Sequence, residues 1–172
     1  IISRCPSGGR GADPKAAFIE SVCRGNGFKG NIYRSGMELT GLYSFREDRK
    51  AEFSELAGSR AFMVAAIADN AGLFAAAVKK SRENGFDIFC QGFLDHSGYD
   101  EAAQRSIAAK MSSLGAGALI TTFKDVVKLR RDIFSGRNVY SLLFELWIDG
   151  EEKLLKEIKD GYAKFKSEKG RA

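Results

Sequence analysis

The sequence predicts an α/β fold, a three-layer α/β/α sandwich built on a mostly parallel, doubly wound sheet. Two observations predict it. Apolar runs alternate with amphipathic helical stretches along the chain, and the crossover rule turns that alternation into parallel strands with helices on both faces. The run Ala61-Phe62-Met63-Val64-Ala65-Ala66-Ile67 is continuously apolar, as a strand covered on both faces requires.

The elements follow in order. Residues 1–4 read as the tail of a buried strand, and Cys5–Ala12 supplies Pro6, Ser7, Gly8, Gly9 and Gly11, a loop composition. Asp13 caps a helix with Pro14 in its first turn and Phe18, Ile19, Val22 and Cys23 on one face. Residues 31–45 read as two short strands, Ile32–Arg34 and Leu39–Phe45, with Ser35-Gly36 and Thr40-Gly41 breaking the run. Arg46–Lys50 is charged and exposed, and Ala51–Leu56 is a short helix. After the strand 61–67, Asp69 or Asn70 caps a helix that places Leu73, Phe74, Ala77, Val78 and Ser81 on one side and ends at Asn84-Gly85. A buried strand through Ile88–Leu94 leads to a helix over Asp100–Leu114, with Ala103, Ile107, Met111 and Leu114 inward. Ala118–Ile120 is a further buried strand ending at Thr121-Thr122, followed by a helix over Asp125–Phe134. Val139–Ile148 is the last strand, whose partial alternation leaves open an antiparallel place at the sheet edge. The closing helix puts Leu154, Leu155, Ile158, Tyr162 and Phe165 on one face with lysines outside.

The 172 residues, 44% apolar and 28% charged, suffice for one domain over 1–172 with a sizeable core. A net charge of +5 favours anionic partners, but no stripe of basic and aromatic residues marks a nucleic-acid-binding protein. Cys5, Cys23 and Cys90 form no CxxC pair, which fits a reducing compartment such as the cytoplasm. No apolar run reaches the ~18 residues of a membrane span, and no signal peptide is present. The start on Ile1-Ile2-Ser3-Arg4, without methionine and within a strand, reads as a fragment or excised domain. One histidine and three scattered cysteines predict no metal site within the chain. Gly8-Gly9-Arg10-Gly11 lacks the spacing of both common phosphate-binding loops, and no P-loop lysine follows.

Ligands bind at the carboxyl ends of strands in open α/β sheets, and the residues suited to chemistry collect there. His96, the sole histidine, follows the strand 88–94; imidazole exchanges a proton near neutral pH. Asp95, adjacent on an extended backbone, points the other way and holds the turn. A half-exposed surface imidazole with no role fits the same residues. Thr121, Thr122, Lys124 and Asp125 stand at a strand-to-helix junction, where hydroxyls, backbone N–H groups and an ammonium converge on an anion. The competing reading is a Thr122 N-cap with Lys124 and Asp125 exposed. Ser3 and Arg4 end the first strand, where the guanidinium suits a phosphate.

Asp95-His96-x-x-Tyr99 after an apolar strand, with Thr121-Thr122-Phe123-Lys124-Asp125-Val126-Val127-Lys128-Leu129 downstream, resembles the C-terminal half of the tetraacyldisaccharide 4'-kinase (lipid A 4'-kinase) family. The resemblance implies a lipid kinase acting on a tetraacyldisaccharide at the cytoplasmic face of the inner membrane. It implies that His96 joins an aspartate of the N-terminal half in a dyad activating the sugar hydroxyl. ATP and magnesium would bind mainly to that absent P-loop half, so the chain alone is expected to be inactive. The segment at about 31–45 resembles the family's two-stranded linker hairpin. The chain departs from the family at Phe123, where glutamate is usual, and at Ala66 and Asn70, where the family has a glycine and a proline. The alternative is a stand-alone phosphate- or nucleotide-binding module without catalysis.

Overall fold

The computed structural model describes residues 1–3, 13–95 and 97–169. Arg4, the expected loop over 5–12 and His96 lie outside these. Where the sequence reads as one domain, the chain divides into two compact units, Leu39–Phe144 and Ile1–Glu38 with Glu145–Ala172.

The elements are α1 (Pro14–Gly25), β1 (Ser35–Ser44), β2 (Arg49–Ala51), β3 (Arg60–Ala65), α2 (Asn70–Asn84), β4 (Asp87–Gly92), α3 (Glu101–Leu114), β5 (Ala118–Thr121), α4 (Phe123–Val126), β6 (Asn138–Ile148) and α5 (Glu151–Lys169). The six strands form one sheet in the order β2-β1-β6-β5-β3-β4. The pairs β3–β4, β3–β5 and β5–β6 are parallel, while β1–β2 is antiparallel. The fold is therefore α/β with a mostly parallel sheet flanked by helices.

Alternation along β3 explains the layers. Ala61, Met63 and Ala65 join one core with Leu73 and Ala77 of α2. Phe62, Val64 and Ala66 join a second core with Ile107 and Met111 of α3 and with Phe134. Successive strand side chains point to opposite faces, so each face of the sheet buries its own helix. The Asp69 carboxylate caps α2 by accepting the Gly72 N–H, and Asp100 caps α3 by accepting the Ala103 N–H. Each helix ends on a glycine with left-handed backbone, Gly85 and Gly115.

Several elements differ from the sequence reading. The two strands expected within 31–45 are one strand, β1, whose hairpin partner is β2 with Leu42 opposite Ala51. Ser35-Gly36 does not break it, because pairing supplies its hydrogen bonds: the Ser35 N–H donates to Ile2 C=O at 2.8 Å. The hairpin turns at Asp48, φ 52°, and the Tyr43 hydroxyl bonds the Asp48 carboxylate. The expected first strand is a single parallel bridge from Ile2 to Arg34. The helix expected near 51–56 is a 3-10 turn, Phe53–Leu56, closed by a reciprocal Glu52–Glu55 capping box.

Two strands change place. β4 is an edge strand rather than a buried one, and Leu94 just beyond it is 86% exposed. β6 lies inside the sheet, parallel to β5, not antiparallel at an edge. The helix expected over 125–134 is the single turn α4 followed by turns. Gln104 of α3 explains the interruption. Its side-chain amide donates to Lys128 C=O at 3.1 Å and accepts the Arg130 N–H at 2.8 Å, occupying two backbone groups that a continuing helix would pair internally.

In the unit formed by the two ends, Ile2 and Ala16 pack with Ile32 and Trp147. Asp13 accepts the Lys15 N–H, with Pro14 in the first turn of α1. Phe18, Ile19 and Val22 on α1, and Leu155, Ile158, Tyr162 and Phe165 on α5, are exposed. Among the described residues no helix is long and apolar enough to cross a membrane.

Candidate functional site at the carboxyl ends of the strands

β4, β3 and β5 are consecutive in the sheet and parallel, so the segments leaving them emerge side by side. From β4 the chain continues through Phe93–Tyr99, from β3 through Ala66–Asn70, and from β5 into α4. Strand-strand bonding extends into the first segment, with the Phe93 N–H donating to Ala65 C=O at 2.9 Å. Asn70 ties it again, donating from Nδ2 to Phe93 C=O at 2.9 Å while its Oδ1 accepts the Ile67 N–H. Asn70 thus has a side-chain role of its own.

Asp125 is fully buried among these segments. One carboxylate oxygen accepts the Ala66 N–H at 2.9 Å and the Thr122 hydroxyl at 3.0 Å, and the other meets Lys128 Nζ at 2.9 Å. Burial pushes the carboxyl up, but hydrogen bonds from Ala66, Lys128 and Thr122 outweigh it and hold its pKa below the usual aspartate value. Thr122 is the N-cap of α4, its hydroxyl oxygen accepting the Asp125 N–H. Thr121 is completely buried.

Lys128 connects this carboxylate to the loop after β4. Its Nζ donates to Ser97 C=O at 2.9 Å and lies 5.5 Å from the centroid of the Tyr99 ring. Tyr99 has a left-handed backbone, φ 49°, which is costly for a bulky residue. Three neighbours hold it there: the Phe93 ring edge-on at 4.8 Å, Lys128, and Gln104 Nε2 donating to Tyr99 C=O at 2.6 Å. Burial and the neighbouring Asp125 carboxylate push the Tyr99 phenol well above its ordinary pKa, so it stays protonated at physiological pH.

The structure thus brings together Asp95, Thr121, Thr122, Lys124 and Asp125. Lys124 Nζ meets Asp95 Oδ1 at 3.1 Å, linking the segments on either side of β3, with both side chains partly exposed. Thr121 and Asp125 lie beneath the surface instead of on a ligand-facing wall. The expected helix N-terminus does not offer an anion cradle either, because α4 is one turn whose Asp125 and Val126 N–H groups donate to Thr122 C=O. Ser3 is exposed and belongs to the other unit. The residues that sequence reasoning missed are Gln104 and Asn70, and it gave Lys128 no role. A lone glutamine beside Ala103 and Ile107 on the inward face of α3 was the available signal. Among the described residues no group of three or more His, Cys, Asp or Glu side chains is placed to hold a metal ion.

A family model described as tetraacyldisaccharide-1-P 4'-kinase matches residues 13–162. The chain belongs to this family. The match includes both the Asp95–Tyr99 and Thr121–Leu129 segments. A tetraacyldisaccharide 4'-kinase of Geobacter metallireducens is 33% identical over 114 residues, 66% of this chain and 32% of that protein. The solved "apo" form of LpxK from Aquifex aeolicus in complex with ATP superposes over 80% of this chain and 40% of its own, with 22% identity and a TM-score of 0.46. The chain therefore spans about a third of the length of the curated kinase it matches.

Proposed function

We propose that this chain is the C-terminal part of an ATP-dependent lipid kinase that phosphorylates the 4'-position of a tetraacyldisaccharide lipid A precursor. The observation carrying this reading is the anchored loop Phe93–Tyr99 at the strand ends, held from β3, α3 and Lys128 within a chain of this kinase family. In this reading His96 on that loop activates the sugar hydroxyl together with a carboxylate from a nucleotide-binding half. That half holds most of ATP and magnesium, consistent with the lack of a P-loop lysine in these 172 residues. Lys124, Asp95 and Thr122 shape the rim of the site at the strand ends, while Thr121 and Asp125 support that rim from below. Ser3 and Arg4 remain candidates for phosphate contact. The parent enzyme works as a peripheral protein at the cytoplasmic face of the inner membrane.

Two measurements test this. Calorimetry with Mg-ATP is expected to show no micromolar binding to the 172-residue chain; such binding would favour a stand-alone nucleotide-binding module. In the full-length enzyme, His96→Ala is expected to lower turnover by about 10²–10⁴-fold, as loss of a general base does, with a smaller effect on lipid affinity and an unchanged melting temperature. Near-normal turnover would remove the histidine from the mechanism.

A further inference from the structure

We propose that Lys128 is a positioning residue that clamps the loop after β4 to the ends of β3 and β5. The inference rests on the functional reading above only for what the loop is held in place to do. The clamp itself is a chain of three polar contacts. The Ala66 N–H at the end of β3 is held by Asp125 at 2.9 Å, Asp125 holds Lys128 at 2.9 Å, and Lys128 holds Ser97 C=O at 2.9 Å. The same ammonium lies near the Tyr99 ring, so one cation engages the loop at two residues.

Charge and burial explain why a lysine performs this task. A carboxylate with no exposed surface needs a charged partner or several donors, and Asp125 has both. Lys128, about a quarter exposed, keeps three donors on a flexible stem. It spends one on the carboxylate and one on a loop carbonyl. The geometry has a cost that the surrounding restraints offset: Tyr99 stands in a left-handed conformation, which relaxes unless the loop is restrained from outside. Gln104 restrains Tyr99 through its carbonyl, and Lys128 restrains the residues before it.

The test removes the clamp without leaving a buried charge unpaired. In the double variant Lys128→Met with Asp125→Asn, the segment 94–99 is expected to exchange its amide hydrogens about tenfold faster or more, as loss of a charge-assisted hydrogen bond implies. Exchange in β3 and α3 should be unchanged, and the ring signals of the sole histidine should shift. Lys128→Arg, which keeps the charge pair, should restore slow exchange. Lys128→Gln, which keeps a donor for Asp125 on a shorter stem, replaces the double variant if that does not fold. In the full-length kinase the folded variant should lose about 10²-fold in kcat, the scale of a small misplacement of a reacting group, with KM little changed. A folded variant whose 94–99 segment exchanges as in the parent overturns the clamp, as does failure of both variants to fold, which would make Lys128 part of the folding core. Faster loop exchange with unchanged kcat would leave the clamp intact and count against the kinase role of the loop.

Discussion

A buried carboxylate makes stability depend on acidity, and the sign follows from its surroundings. Donors from Ala66, Lys128 and Thr122 hold Asp125 below its unfolded-chain pKa, which is about 4. The folded state therefore binds the proton less readily than the unfolded state. The contribution is complete above about pH 4 and is lost as pH falls further, through the folded-state value. Denaturant midpoints measured from about pH 6 to about pH 3 are expected to fall more steeply for the parent than for Asp125→Asn; parallel curves would contradict this. The position of Asp125 at a strand-to-helix junction was legible in the sequence, but its burial was not, since its partner Ala66 is 59 residues away. The same holds for Gln104, whose partners belong to the Tyr99 loop and to residues 128–130.

Elements whose character is local were read correctly, and those defined by their neighbours were not. β3 and β5 are built on the continuous apolar runs 61–65 and 118–120, and α2 and α3 carry an aspartate cap at one end and a left-handed glycine at the other. These signals lie within a few residues of the element they define. The order of strands does not: the sequence reads β4 as buried and leaves an edge place open for β6, and it overextends α4 because the glutamine that stops it comes from α3. Packing predicts the cost of loosening the correctly read part. Leu119 of β5 is fully buried in the core shared with Ile107 and Met111, so Leu119→Ala is expected to cost about 2–5 kcal/mol. Urea denaturation checks this, and a loss below about 1 kcal/mol would mean the site collapses without leaving a cavity.

At the scale of the whole chain, the two units differ in how much apolar surface they bury. Leu39–Phe144 holds two large cores on opposite sheet faces, whereas the unit formed by the ends has a small core around Ile2 and Ala16 and leaves most of the apolar side chains of α1 and α5 exposed. Opening free energy follows buried apolar contact, so α1 and α5 are expected to exchange amide hydrogens well before β3 and β5. Equal protection in both units would refute this. Within the larger unit, the middle position of β3 sets a spacing. The segments bearing Asp95 and Lys124 leave strands on either side of it, roughly two strand separations or 9–10 Å apart, and they meet over a terminus made of Ala65 and Ala66. Both alanines are fully buried, and their small size lets flanking side chains close across the gap. This terminus acts as a gauge block: a bulkier residue at Ala66 would jack the neighbouring segments apart and widen the span that the two halves of the motif must bridge.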